Sequence, residues 1–123
     1  MIRSGTTHFY DMYWRPTAVA RAAEDAGLRA TVGAPLFDGN DASGLMALRD
    51  TALASLEPLH DFGPLITPSL TPHALYTVSR ESLDFVGNLA RERGVIVHTH
   101  LSETRREVDE WMADHDQRPA FYA

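Results

Sequence analysis

The feature that most constrains this chain is an unbroken alternation of strand-like and helix-like segments along its 123 residues. Thr6 to Met12 (TTHFYDM) is rich in threonine and aromatics and reads as a strand. Thr17 to Ala26 is alanine-rich, with Val19, Ala22, Ala23 and Ala26 on one helical face and Gly27 as the stop. Leu28 to Ala34 reads as a second strand and Phe37 to Ser43 (FDGNDAS) as a loop. From Gly44 to Leu59 the leucines and Ala52 recur at spacings of three and four, which predicts a helix. The second half repeats the plan. Leu65 to Leu70 is a short strand weakened by Pro68, and Thr71 to Thr77 is a loop. Ser79 is a good N-cap and Glu81 sits well in a first turn. Leu83, Val86 and Ala90 form an apolar stripe up to Gly94. Val95 to His100 is the cleanest strand, helical residues resume at Glu103 and run to about Ala113, and Asp116, Gln117 and Pro119 read as loop.

This order predicts an α/β fold of four βα units with parallel strands. Two architectures fit it, a small doubly wound sheet and half of a (β/α)8 barrel. The length suits one domain with a real core, and 44% hydrophobic with 23% charged residues is a globular balance. With a net charge of -6 and only 11 basic residues, all arginine, the chain is not expected to bind nucleic acid. It has no cysteine, which excludes disulfides and thiolate metal sites and fits a cytoplasmic location. No apolar run approaches the ~20 residues of a membrane span. Neither GxGxxG nor GxxxxGK occurs, so no phosphate loop supports nucleotide binding.

The chemistry concentrates in VIVHTHLSET, Val95 to Thr104. Alternation along a strand points His98 and His100 the same way. In parallel α/β folds the reactive residues sit at the carboxyl ends of strands, where His100 stands and Glu103 follows. A neutral imidazole is a good zinc ligand, and a nearby carboxylate can move protons for metal-bound water. The same pattern also fits histidines that only fill space, and it does not decide between the two. His73, taken alone, reads as a loop histidine in solvent or capping the next helix.

HTHLSET preceded by VIV resembles the fifth-strand motif of the amidohydrolase superfamily. The branch it is most similar to contains S-adenosylhomocysteine and related deaminases and triazine chlorohydrolases. IRSGTTHFYDMY resembles the second-strand segment of that branch, AEDAGLRATVG the next helix-to-strand passage, and LTPHALYTVSRESL the loop after strand four. EVDEW resembles the start of the fifth helix. The resemblance implies a partial (β/α)8 barrel running from strand two to helix five. It implies that His100 is a metal ligand, that Glu103 hydrogen-bonds substrate and shuttles protons, and that His73 contacts substrate. His98 matches no ligand role and is expected as an interior neighbour, Asp11 as structural support inside the barrel. His8, His60 and His115 match no role.

Whole enzymes of this kind hold one divalent metal, commonly zinc, on a His-x-His pair after strand one, the strand-five histidine and an aspartate after strand eight. The Glu three residues after HTH and the upstream PHALYT loop argue against this HTH being the strand-one pair. The chain is therefore expected to carry one ligand of four and to bind no metal tightly by itself, as would follow from a reading frame opened at an internal methionine or a gene fragment. The activity implied for the parent is hydrolysis of a ring C–N or C–Cl bond in a purine-, pterin- or triazine-like substrate by metal-activated water. The alternative is a non-catalytic half-barrel, or an association module that pairs with a second copy or a complementary barrel half.

Overall fold

Strand β1 (His8–Met12) runs parallel to β2 (Arg29–Gly33) in the register His8↔Arg29 to Met12↔Gly33. Between them lies α1 (Pro16–Asp25), with Pro16 at its start, where a missing N–H costs nothing. The computed structural model describes residues 1–115, 118 and 119, so the reading of Asp116 and Gln117 as loop lies outside the described residues. After β2 come β3 (Pro35–Leu36), α2 (Leu45–Leu56), β4 (Ile66–Pro72), α3 (Arg80–Arg93), β5 (Ile96–Val97) and α4 (Arg105–Asp114).

Val32 pairs with Pro68 and Pro35 with Thr71, so β2 and β3 keep one continuous register along β4 and form one strand line interrupted at Ala34. The other side of β4 takes β5, with Ser69↔Ile96 and Leu70↔Val97. Four strand positions therefore follow one another in parallel. Among the described residues β1 pairs only with β2 and β5 only with β4, which leaves the sheet open at both edges.

Both core clusters lie on one face of this sheet. Ala20 and Ala23 of α1 pack with Ala30, Val32 and Ile66, while Leu48, Leu56 and Val86 of α2 and α3 pack with Leu70. The registered neighbours on the other face are polar: Thr31, Ser69 and Thr71 are all buried there. Helices on a single face and a polar opposite face are the pattern of a barrel segment and not of a doubly wound sheet. Among the described residues no helix is long and apolar enough to cross a membrane.

The structure shifts several sequence expectations. Pro58 ends the predicted Gly44–Leu59 helix, so α2 stops at Leu56 and a 3-10 turn spans Glu57–Asp61. Strand β4 runs on through Thr71 and Pro72, residues expected in the loop, because both are buried against β3. Strand β5 is only two residues long, and the strand expected to reach His100 leaves regular pairing after Val97. Helix α1 turns the row Pro16, Ala20, Ala23 towards the sheet, leaving Ala22 and Ala26 exposed instead of buried. Asp11, expected to face the barrel interior, is in register with Val32 and so stands on the helix-side face.

The loop after β3 is tied to α3 by Asp38. Its carboxylate accepts hydrogen bonds from the Ser79 N–H at 2.9 Å, from both the Ser79 and Ser82 hydroxyls at 2.5 Å, and from the Asn40 N–H at 2.9 Å. Desolvation pushes the pKa of this carboxyl up, but the hydrogen bonds from Ser79, Ser82 and Asn40 together outweigh it and hold the group below the usual carboxylate range. Because the unfolded chain binds this proton more readily, the stabilisation is full above about pH 4 and declines as pH falls through the lowered folded value. Asp38→Ala is expected to destabilise the chain by about 2 kcal/mol at neutral pH. Urea midpoints of the two proteins should converge as the pH is lowered towards 3.

Candidate active site

The carboxyl ends of β4 and β5 meet at His73. Its backbone N–H donates to the Leu36 carbonyl at 2.9 Å, and its own carbonyl accepts from the His100 N–H at 3.0 Å and the Thr99 hydroxyl at 3.1 Å. One residue thus joins three neighbouring strand ends through its backbone. It sets the His73 and His100 rings 5.2 Å apart and nearly perpendicular. Neither solvent exposure nor helix capping describes His73: the residue is half-buried, and Ser79 caps α3. The Thr77 hydroxyl donates to the Ala74 carbonyl at 3.2 Å and lies 2.9 Å from His73 Nδ1. With Nδ1 held by Thr77, Nε2 is the ring nitrogen left for a ligand.

His98 turns to the polar face of the sheet, half-buried, with Nδ1 3.4 Å from the Ser69 hydroxyl and its ring edge-on to Tyr10 at 5.5 Å. His8 stacks on Tyr10 at 5.0 Å and hydrogen-bonds the Thr31 hydroxyl. Burial lowers the His98 pKa, the nearby His100 adds to that, and Asp11 opposes it. Asp11 itself is pushed up by burial, partly offset by His98, and its Oδ2 is buried without a hydrogen-bond partner.

Glu103 does not open α4, as its sequence position suggested. Thr104 is the N-cap, its hydroxyl accepting from the Glu107 N–H at 3.1 Å, and the Glu107 carboxylate accepts from the backbone N–H groups of Ser102 and Glu103. This is a variant of the capping box, whose sign in the sequence is Thr104-Arg-Arg-Glu107. The capping leaves the Glu103 side chain free in the turn, on the wall of a cavity of about 480 Å³. Tyr76 lines the same cavity and stands edge-on to His73 at 5.9 Å. The structure therefore brings His73 and His100 into contact, while Glu103 lines a cavity that neither histidine borders and that Tyr76, beside His73, shares. Sequence reasoning did not single out Tyr76; an aromatic three residues after a strand-end histidine was the available signal. Among the described residues, no three histidine, aspartate or glutamate side chains gather closely enough to hold a metal.

A parallel strand–helix segment with its histidines at the carboxyl strand ends belongs to the barrel class whose chemistry sits on that end. More specifically, the chain belongs to the amidohydrolase family, whose family model matches residues 1–120. It is 42% identical to a 5-methylthioadenosine/S-adenosylhomocysteine deaminase of Thermodesulfovibrio yellowstonii, over 99% of this chain and 28% of that protein. It is 41% identical to a 5'-deoxyadenosine deaminase of Methanoregula boonei, over 98% of this chain and 27% of that protein. Among solved structures it is similar to an adenosine deaminase from Xanthomonas campestris with bound zinc, with a TM-score of 0.73 and 30% identity over 97% of this chain and 27% of that one. The chain thus spans between 27% and 28% of the length of these curated relatives.

Proposed function

We propose that this chain forms one wall of a metal-dependent hydrolytic deaminase site for adenosine-like nucleosides, with His100 as a metal ligand, His73 as a substrate contact and Glu103 as the proton carrier. The observation that carries the reading is the contact of the His73 and His100 rings, 5.2 Å apart at adjacent carboxyl strand ends. The deaminase names of the relatives favour a C–N bond over a C–Cl bond. In hydrolytic deamination the oxygen of water bonds to the ring carbon, the bond to the amino group breaks and ammonia leaves. Glu103 carries protons between water, ring nitrogen and the departing amine, and His73 Nε2 accepts a hydrogen bond from a substrate hydroxyl or N–H.

A zinc site takes at least three protein ligands, and the described residues gather no such set. That favours, for the 123-residue chain by itself, the reading of a non-catalytic association module. Both readings meet in one experiment. These 123 residues are grafted in place of the matching segment of the Thermodesulfovibrio relative. The graft is expected to bind zinc stoichiometrically and release ammonia from adenosine-type nucleosides, and the chain alone to do neither. A folded graft that binds zinc but releases no ammonia would sink the catalytic reading.

A further inference from the structure

The backbone bonds of His73 fix where its Cα stands, not how its ring is turned. Rotation about the Cβ–Cγ bond of a histidine is soft and roughly twofold, and a half-turn exchanges Nδ1 for a carbon edge and relocates Nε2. The perpendicular contacts with His100 at 5.2 Å and Tyr76 at 5.9 Å define the plane of the ring, and either half-turn meets them. One contact tells the two edges apart, the Thr77 hydroxyl 2.9 Å from Nδ1. A hydroxyl both donates and accepts, so it pairs with Nδ1 whichever partner supplies the proton. A carbon edge offers it nothing comparable.

Thr77 is itself pinned. Its N–H donates to the Ala74 carbonyl at 3.1 Å, and its hydroxyl lies 3.2 Å from the same oxygen. Its carbonyl accepts from the backbone N–H groups of Asp38 and Asn40, each at 3.2 Å, so the loop after β3 braces it. The Asp38 carboxylate in turn binds Ser79 and Ser82 at the start of α3. Val78, next in the chain, is buried in the core. A β-branched side chain on so fixed a backbone has few orientations, which keeps the hydroxyl at the ring.

We propose that Thr77 is a positioning residue of the deaminase site: it selects the turn of the His73 ring in which Nε2 faces the substrate, and it acts on the reaction only through that ring. The inference rests on the reading of His73 as a substrate contact and adds to it a residue that touches no substrate. The bonds to Leu36, Thr99 and His100 hold the His73 backbone without help from Thr77. Loss of the hydroxyl therefore frees the ring and leaves the strand ends joined.

The test is a double-mutant cycle in the grafted deaminase, with 5-methylthioadenosine, the nucleoside in the scaffold's name, as substrate. Thr77→Val keeps the shape of the side chain without its hydroxyl and should lower kcat/KM by about 10- to 100-fold. Thr77→Ser, which brings the hydroxyl back, should recover most of that loss. In a His73→Ala background, Thr77→Val should cost nothing further. An equal fall in both backgrounds marks a merely structural role and would overturn the proposal. So would an unaltered kcat/KM in Thr77→Val where His73→Ala lowers it, a result that leaves the substrate-contact reading standing. A harmless His73→Ala overturns that reading and the proposal together. The ring is followed independently through the His73 ring-nitrogen resonances of the graft, assigned by their absence from His73→Ala. They should move in Thr77→Val and return in Thr77→Ser; resonances unmoved by Thr77→Val would show that the hydroxyl does not hold the ring.

Discussion

Glu103→Gln in the grafted deaminase is expected to lower kcat by about one hundred- to ten-thousandfold, the range attributable to a positioned proton carrier. The substitution keeps the size of the side chain and removes its ability to take up and release a proton. It should leave the local fold intact, because the hydrogen bond to Glu107 at this residue comes from the backbone N–H and not from the Glu103 side chain. Zinc content should also stay the same, since the residue is expected to move protons and not to bind metal. The KM for the nucleoside should change much less than kcat, as for an interaction made chiefly in the transition state. The informative control is Glu107→Gln, which weakens acceptance from two backbone N–H groups and so loosens the turn that presents Glu103. Its effect should be the smaller of the two and should appear in both parameters. A kcat unaltered by Glu103→Gln would remove this residue from the reaction.

Gly33→Ala is expected to destabilise the chain by about 3 kcal/mol, at the upper end for a small overpacking change. Gly33 is buried at the end of β2, and a Cβ there would lie 2.5 Å from the Ser69 carbonyl oxygen and 2.6 Å from Thr71 Cγ2. Neither neighbour has room to yield. Ser69 is paired to β5 through the β4 backbone, and the Thr71 hydroxyl donates to the Ala34 carbonyl. Relief would require β2 and β4 to separate where β4 delivers His73 to the site. Thermal unfolding should shift down by roughly 10 °C. Gly5→Ala provides the contrast, since Gly5 has φ +84° and open space around it, and only the backbone strain of about 1 kcal/mol applies. Equal losses at the two positions would show that packing against β4 is not the cause.

Most of the fold was legible because strand and helix periodicities are local. The alternation of TTHFYDM, the alanine-rich α1, and the caps at Ser79 and Gly94 mark their elements without reference to the rest of the chain. Where local signals competed, the reading slipped. Pro68 obscured a strand that continues to Pro72, and the polar run from Glu103 looked helical although Thr104 and Glu107 hold the start of α4 two residues later. VIVHTH has strong strand character throughout, yet regular pairing with β4 covers only Ile96 and Val97, and beyond them His98 and His100 keep single backbone hydrogen bonds to Leu70 and His73.

The candidate site divides in the same way. His73, His100 and Glu103 could be named from their motifs, because residue type and position relative to a strand end are written in the chain. The 5.2 Å approach of His73 to His100, the link through Tyr76 and the facing of Asp11 towards α1 could not. Each depends on the curvature of the sheet and on hydrogen bonds between residues distant in sequence, such as His100 N–H to the His73 carbonyl. The sequence by itself determined the parallel βα order, the family and the residues available for chemistry, since these rest on periodicity and motif. Only the tertiary structure decided which side chains share a face and which meet. Packing at long range settles those questions, and no local pattern encodes it.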